Sequence, residues 1–425
     1  MKKLALYILF FASNNLFSQE IKFDDYFYDK TMRIDYFHSG NYYEQFLTLD
    51  EVYEEPFYAG SKTKLIDKFE YGEYKFEVRD SSTNLLLYSR GYSTLFFEWL
   101  TTDEAKKIKR TFSESIVFPY PKKTVNVEFY VRNDKNEFEK KYNFYVNPRD
   151  YFIKKDKKYK FKTKDVLING SIDKKIDLVF LPEGYSEKEL KKFLKDVDKF
   201  VNSLFSVDPY KHNKSKFNIR AVLAPSSESG VDIPGQDVWK NTILNASFYT
   251  LNSERYLMTK DYKTVRDLAS LVPYDHIYIL VNTTKYGGGG IYNYYATCAS
   301  DNPRSEYIFA HEFGHSFAGL GDEYYDSQVS YESFYNLEAE PWEPNLTTLK
   351  NFEIKWKNMI DSLTPIPTPS LPEFKGKVGV YEGGGYSAKG IYRPFIDCSM
   401  KSATVDNFCP VCKLSIQKMI DFYSE

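Results

Sequence analysis

The residues best suited to chemistry are His311, Glu312 and His315, which form the pattern H-E-x-x-H. On a helix, residues four apart share one face, so both imidazoles can bind one ion. Zinc held in this way keeps an open position for a water molecule and lowers the pKa of that water. Glu312 lies beside the first ligand and can accept the proton of the water. The pattern predicts a zinc peptidase with two histidine ligands and Glu312 as general base.

The third metal ligand is predicted from the residues that follow the motif. Gly319 can adopt a left-handed conformation, end the helix and turn the chain back towards the metal. Acidic residues then come within reach, and Asp322 is favoured over Glu323, Asp326 or a more distant glutamate. Gly314 lowers helix propensity by about 1 kcal/mol relative to alanine, which indicates a close packing contact there.

Two glycine-rich segments and a methionine supply further candidates. Residues 287–290 lack the ending of a phosphate-binding loop, so they form either a flexible loop or part of the cleft. In the second case, Gly288 and Gly289 would let substrate approach the backbone closely. Met400 follows the other glycine-rich segment, residues 383–385. It is a candidate for the methionine turn beneath the metal of some H-E-x-x-H peptidases, with a generic core methionine as the alternative.

The elements that must position these residues alternate between strands and helices from about residue 170. Apolar runs predict strands, and amphipathic stretches with capping residues predict helices. This alternation predicts an α/β peptidase domain with a central sheet over residues 170–425. The predicted elements are strands 176–181, 217–223 and 276–281, helices 186–204, 264–271 and 414–423, and the motif helix 305–318.

Residues 19–150 show a different pattern, in which apolar and polar residues alternate. Segments 74–79 and 125–131 have this period of two, which is typical of half-buried strands. Together with one helix predicted over 102–110, they favour an N-terminal β-sandwich domain, so the fold class is α+β or α/β. The lysine-rich segment 151–169 is predicted to be a linker or an exposed edge strand.

Length, charge and the first residues bound the protein class. A chain of 425 residues can hold two domains, and a formal net charge of −2 argues against nucleic acid as a partner. Residues 1–18 begin with Lys2 and Lys3 and continue with a short apolar run, the pattern of a signal peptide. That run is too short to span a bilayer, and no later segment is long enough. An exported protein without a transmembrane segment is predicted, in the periplasm, on the cell surface or in the medium.

Four cysteines, Cys298, Cys398, Cys409 and Cys412, remain after such cleavage. In an oxidising compartment disulfides are favoured, and the pairing of Cys398 with Cys409 or Cys412 is predicted. A redox pair or half of a structural zinc site are the alternatives for the C-x-x-C pattern of the last two, although the sequence has no second pattern of this kind.

Taken together, these motifs resemble the IgA-peptidase family of zinc metallopeptidases. The resemblance implies zinc ligands at His311, His315 and Asp322 and a general base at Glu312. The family is similar to the metzincins, but here the glycine at 319 comes one residue later and the third ligand is acidic. The segments that carry the resemblance are 286–293, 311–324 and 393–400, and in the N-terminal region 33–36, 98–99 and 118–121.

The main hypothesis is an exported zinc-dependent endopeptidase that hydrolyses a protein or glycoprotein substrate, with Tyr324 as a candidate for stabilising the oxyanion. One alternative is a non-catalytic binding protein with a vestigial zinc site. The intact Glu312 argues against it, because a purely structural site needs ligands and no base. The other alternative is a zinc amidase acting on cell-wall or glycan-linked peptides, which would use the same site chemistry.

Overall fold

The computed structural model describes residues 21–325, 334–405 and 407–425. Two sequence predictions lie outside these ranges, namely the signal peptide over residues 1–18 and Asp326 as an alternative ligand. None of the helices in the described ranges is long and apolar enough to cross a membrane. The described chain is of mixed α/β structure, with several sheets and few helices.

The N-terminal region forms two antiparallel sheets. Its strands are β1 (Phe27–Gly40), β2 (Gln45–Glu55), β3 (Tyr74–Asp80), β4 (Leu86–Tyr92), β5 (Arg110–Pro121), β6 (Val125–Arg132) and β7 (Phe138–Val146). The strand order is β2-β1-β5 in the first sheet and β4-β3-β6-β7 in the second. Two short helices, α1 (Phe23–Tyr26) and α2 (Leu95–Leu100), accompany them.

The two N-terminal sheets share one hydrophobic core, which accounts for the alternating sequence. Phe76 and Val78 of β3 pack in this core with Ile116 of β5. Because successive side chains of a strand point to opposite faces, alternation buries one face of each sheet. The strands predicted over 74–79 and 125–131 are confirmed as β3 and β6.

The helix predicted over residues 102–110 is wrong, because the helix of this region lies earlier, at α2. Thr94 caps it by accepting the backbone N–H of Phe97 at 3.2 Å. The apolar residues Leu95 and Trp99 lie on this helix and are buried, so tertiary packing favours a helix there. The capping residues from Thr102 onwards form turns instead of a further helix.

The central sheet of the second region has six strands. They are β8 (Lys162–Leu167), β9 (Ile176–Glu183), β10 (Phe217–Leu223), β11 (His276–Val281), β12 (Gly288–Ile291) and β13 (Tyr295–Ala299). In the order β12-β13-β11-β9-β10-β8, the four inner strands are parallel and both edge strands are antiparallel to their neighbours. The central sheet and its three apolar strands were predicted from the sequence and are confirmed.

Helices cover both faces of this sheet and divide the core in two. Along β9, Leu178 and Phe180 face one core, which also contains residues of α3, α5 and α6, whereas Val179 and Leu181 face the other. The second core contains residues of α4 and, from the N-terminal region, Trp99 of α2. A strand buried on both faces needs a continuous apolar run, as β9 has. The helices are α3 (Leu190–Leu204), α4 (Tyr262–Ala269), α5 (Ser305–Ala318) and α6 (Pro410–Tyr423).

The lysine-rich segment ends in β8, which is the exposed edge strand of the central sheet. This is one of the two structures predicted for it. Lysines suit an edge strand, because charged side chains discourage pairing with another chain. A further antiparallel hairpin, β14 (Tyr381–Gly384) and β15 (Ser387–Arg393), lies near the C-terminal end of the chain.

Candidate metal centre and cleft

Helix α5 carries the H-E-x-x-H motif, and its packing fixes where the motif points. Phe309 stacks on Phe200 of α3 at 5.0 Å between ring centroids and on Phe180 of β9 at 5.9 Å. Gly319, with a φ of +61°, ends the helix in the left-handed conformation. The chain then reverses and brings Asp322 back alongside the helix, as the glycine predicted.

His311, His315 and Asp322 converge on one point. The two imidazole Nε2 atoms are 3.1 Å apart, and Oδ1 of Asp322 lies 3.1 Å from Nε2 of His311 and 3.3 Å from Nε2 of His315. Tetrahedral ligands at zinc distances of about 2.0–2.1 Å are separated by about 3.3 Å. The three atoms therefore have the mutual spacing that one small cation requires.

Each histidine is oriented by a hydrogen bond from its other ring nitrogen. Nδ1 of His311 donates to the carbonyl of Ser399 at 2.9 Å, and Nδ1 of His315 donates to the carbonyl of Leu320 at 2.5 Å. A carbonyl can only accept, so in the neutral imidazole this pairing leaves a lone pair on the Nε2 atom. Such outer hydrogen bonds fix the tautomer and ring orientation of metal-binding histidines.

The Asp322 carboxylate is held in the same manner. Its Oδ2 atom accepts the hydroxyl of Tyr386 at 2.5 Å, whereas Oδ1 is buried and has only the two imidazole Nε2 atoms beside it. A buried carboxylate needs a positive charge beside it, and a bound cation would supply that charge. The donor set of two imidazoles and one carboxylate fits a metal ion.

The neighbouring Glu323 is positioned differently, which separates the two acidic candidates. Its side chain is fully buried on the other side of the chain, and Oε1 accepts the side-chain amide of Asn345 at 3.0 Å. Oε1 also lies 3.1 Å from Sγ of Cys412. Asp322 is thus the acidic residue that approaches the two imidazoles.

Protonation of the metal-free ligands follows from burial and charge. Burial opposes a charged imidazole at His315, but the Asp322 carboxylate outweighs it and raises the pKa of His315 to about 9. Burial also opposes the charged form of Asp322, yet the imidazoles lower the pKa of this carboxyl well below its usual value. A metal ion would have to displace the imidazole proton, because only neutral imidazole is a ligand.

Glu312 lies beside this centre with a carboxyl group suited to proton transfer. One of its oxygens is within 4.8 Å of a ring nitrogen of both His311 and His315. Burial raises the pKa of Glu312, and the two imidazoles offset that rise in part. A carboxyl with a raised pKa holds a proton more readily, so it can accept a proton and later return it.

A cleft of about 400 Å³ opens in front of the centre. Gly288 and Gly289 of β12 line it, as does Tyr324, so the structure brings these predicted residues to the cleft. The glycines are not part of a loop but form an edge strand that packs on α5. A Cβ atom at Gly288 would meet the Ile308 side chain at 2.7 Å. The close approach of helix and strand therefore explains the absence of a side chain at Gly288, whereas a Cβ atom at Gly289 would collide with the side chains of Met258 and Tyr256.

Substitution Gly290→Ala is expected to lower the free energy of unfolding by about 1–3 kcal/mol, the usual cost of overpacking. An added Cβ atom would lie 2.2 Å from the backbone oxygen of Glu312, so β12 and α5 would have to separate. Chemical denaturation of the two proteins measures the difference. Gly170→Ala is the matched control, since its Cβ atom would meet only the flexible Lys175 side chain. Equal stability of Gly290→Ala and the parent protein would show that this packing is not tight.

Met400 lies directly beneath the motif helix. Its backbone is in a turn, in which the N–H of Lys401 donates to the carbonyl of Cys398 at 2.8 Å. A Cβ atom at Gly314 would be 3.0 Å from Sδ of Met400. The glycine therefore allows helix and methionine to pack closely, which is the contact predicted from a glycine inside a helix. The turn also supplies the Ser399 carbonyl that orients His311.

Sequence reasoning missed three residues of the site. Tyr386, which holds Asp322, is 64 positions away along the chain, and only its place after a glycine run marks it. Tyr307 donates to the Ser399 carbonyl at 3.0 Å and could have been found from its spacing, one helical turn before His311. Glu98 of the N-terminal region lines the cleft and accepts the hydroxyl of Tyr256.

The disulfide predicted between Cys398 and Cys409 or Cys412 is not formed in the structure. All four cysteines are described and all are free. The Sγ atoms of Cys398 and Cys412 are 3.9 Å apart, whereas a disulfide requires about 2.05 Å. The prediction was wrong because it considered the cysteines alone, whereas the fold also brings the carboxyl of Glu323 beside the three of them.

Two family models match the chain. Residues 166–376 and 370–420 match the family described as IgA Peptidase M64, and residues 22–143 match the domain described as Peptidase M64 N-terminus. The catalytic-domain match spans more than half of the chain. The protein is a peptidase by family, and it belongs to the IgA peptidase M64 family, as the sequence motifs predicted. A comparison with curated proteins finds no match.

Proposed function

We propose that the protein is an exported, zinc-dependent endopeptidase that cleaves a protein or glycoprotein. The observation that carries this proposal is the convergence of three ligand atoms, 3.1–3.3 Å apart, with Glu312 beside them in a cleft. Membership of a peptidase family supports the same reaction class. The intact base separates this function from a purely structural metal site, which needs ligands only.

His311, His315 and Asp322 would hold the zinc ion. Three protein ligands of nitrogen and oxygen type are the usual number in catalytic zinc sites, which keep one position open. When bound, zinc supplies a Lewis acid that polarises a carbonyl group and lowers the pKa of water. The carbonyls of Ser399 and Leu320 and the hydroxyl of Tyr386 keep the three ligands in place.

The protein's own groups would move the proton. Glu312 accepts a proton from the attacking water and returns it to the amide nitrogen of the leaving peptide, so that the amine departs neutral. Tyr324 lines the same cleft, and its hydroxyl would donate to the oxygen on which negative charge develops. Both residues line the cleft that contains the proposed metal ligands.

Membership of a peptidase family supports a protein as the substrate. Both regions of the chain line the cleft, the N-terminal region with Glu98 and the second region with Tyr286. Export is proposed from residues 1–18, whose two lysines and apolar run are typical of a signal peptide. We further propose that the two N-terminal sheets form a β-sandwich and that the second region is zincin-like.

Digestion of a peptide library, with cleavage products identified by mass spectrometry, tests the proposed function. Cleavage within peptides should stop when a chelator removes the metal and return when zinc is added. Products from internal bonds support an endopeptidase, whereas products from cell-wall peptides alone would indicate an amidase. A folded, zinc-loaded protein that cleaves nothing would overturn the proposal.

The affinity of this centre for zinc should rise with pH. The pKa of His315 in the metal-free protein is raised to about 9, so the imidazole is protonated at lower pH and zinc must displace that proton. The apparent association constant is therefore expected to increase about tenfold per pH unit between pH 7 and 9 and to level off above that range. Competition with a chromophoric chelator measures this association constant, and His315→Ala shows how much zinc binds elsewhere. An association constant that stops rising already at about pH 6.5, the ordinary imidazole pKa, would contradict the predicted coupling to Asp322.

A further inference from the structure

A second cluster of metal-binding groups lies behind the candidate active site. It consists of the side chains of Glu323, Cys398, Cys409 and Cys412, whose ligand atoms all lie within 4.8 Å of one another. Each of the four residues is at most 3 % exposed. The proposed peptidase reaction uses none of them.

The spacing within this cluster suits a metal ion better than a disulfide. Sγ of Cys398 is 3.9 Å from Sγ of Cys412, close to the separation of about 3.8 Å between tetrahedral thiolates at zinc–sulfur distances of about 2.3 Å. A disulfide between any two of the three cysteines would leave the third thiol unpaired beside a buried carboxyl. A cation that binds all four groups leaves none over.

The carboxyl of Glu323 is the independent observation that points to a ligand. Its Oε1 atom accepts the amide of Asn345 at 3.0 Å, but Oε2 is buried and has no hydrogen-bond partner among the described residues. An unpartnered oxygen in the interior costs free energy that a cation would recover. Glu323 was fixed in this position by the same turn that brings Asp322 to the other centre.

Backbone donors are arranged as they would be for thiolates. The N–H of Cys409 donates to Sγ of Cys398 at 3.2 Å, and the N–H of Cys412 donates to Sγ of Cys409 at 3.5 Å. Cys409 is also the N-terminal cap of α6, where the helix dipole favours negative charge. These features favour the thiolate form at Cys398 and Cys409, the form in which cysteine binds metals.

We propose that Glu323, Cys398, Cys409 and Cys412 bind a second zinc ion, which has a structural role. Four protein ligands and nearly complete burial are the properties of a closed structural site, without an open position for water. The ion would tie together two segments that build the other centre. In the first segment, Cys398 precedes Ser399, whose carbonyl accepts from His311. In the second, Glu323 follows Asp322. The two segments also meet through the N–H of Glu323, which donates to the carbonyl of Met400 at 2.8 Å.

Elemental analysis of the full chain tests this proposal without relying on peptidase activity. The parent protein is expected to contain two zinc ions per chain and His315→Ala one. The ion that remains in His315→Ala should be replaceable by cobalt and should then give the thiolate-to-cobalt charge-transfer absorption in the near ultraviolet. Cys409→Ser is expected to lose one ion relative to the parent, and Cys298→Ser, which changes a buried cysteine outside the cluster, should retain both.

The outcomes distinguish the two centres. A single zinc ion that is lost in His315→Ala would overturn the second site and leave the proposed peptidase function intact. A single ion that persists in His315→Ala would support the second site and contradict the first. A disulfide among Cys398, Cys409 and Cys412, found by peptide mapping without reduction, would also overturn the proposal, and that test does not depend on whether Cys409→Ser folds.

Discussion

Substitution Glu312→Gln is expected to lower kcat/KM for peptide hydrolysis by about 10²–10⁴-fold, the range attributed to a general base. Glutamine has nearly the same shape but cannot accept the proton of the attacking water. The ligands His311 and His315 are unchanged, so the metal content should equal that of the parent protein. Initial rates on the best substrate from the peptide library, together with elemental analysis, measure both quantities.

The matched control for this substitution is Glu306→Gln. Glu306 is also on α5, in its first turn, but it is exposed and distant from the metal ligands in the motif. It should leave both rate and metal content unchanged. Full activity in Glu312→Gln would refute the assignment of the base, and loss of metal in the same variant would mean that Glu312 acts as a ligand.

Substitution Asp322→Ala should have a comparably large effect, for a different reason. It removes one of three ligands and leaves the two imidazoles without the carboxylate that lies 3.1 and 3.3 Å from them. Loss of an outer hydrogen-bond partner of a ligand lowers metal affinity by about 10–100-fold. Loss of a ligand itself is expected to lower the affinity of this centre for zinc by more than that. Hydrolysis should fall with metal occupancy and recover in part at high zinc concentration.

Equilibrium dialysis at several zinc concentrations gives the affinity, and Asp361→Ala, at an exposed position, is the control. Asp322→Ala protein that binds zinc as tightly as the parent at the peptidase centre would contradict Asp322 as the third ligand. The comparison with the control excludes a general effect of removing one negative charge.

Residues that are close in the sequence could be assigned from the sequence. The spacing of His311 and His315 on one helix, and the glycine at 319 that reverses the chain, pointed to three proposed ligands within a dozen residues. The pattern favoured Asp322 over Glu323 but left Glu323 as an alternative, because tertiary packing decides to which side each of two adjacent residues points after the helix. Only the packed structure shows that one carboxyl approaches the imidazoles and the other approaches the cysteines.

Contacts between distant segments could not be derived in this way. Tyr386 reaches Asp322 from the hairpin of β14 and β15, and Cys398 lies beside Cys409 and Cys412, which follow it by more than ten residues. The C-x-x-C pattern alone was compatible with a disulfide, a redox pair or a metal site. The number of groups that meet, including Glu323, became evident from the fold.

The same distinction applies to the secondary structure. Strands 217–223 and 276–281 were predicted with the bounds of β10 and β11, which are almost entirely buried. The helix predicted over 102–110 depended on capping residues, which also favour turns. In this region the helix forms at α2 instead, because Leu95 and Trp99 are buried there in the hydrophobic core.

The metal content of the protein shows whether the H-E-x-x-H helix holds a metal ion. Elemental analysis of purified parent protein and His315→Ala, both prepared with zinc supplied, should show one zinc ion fewer per chain in the variant. That result is expected whether or not the second centre is occupied. Equal zinc content in the two folded proteins, or no zinc in the parent protein, would mean that this helix holds no zinc ion.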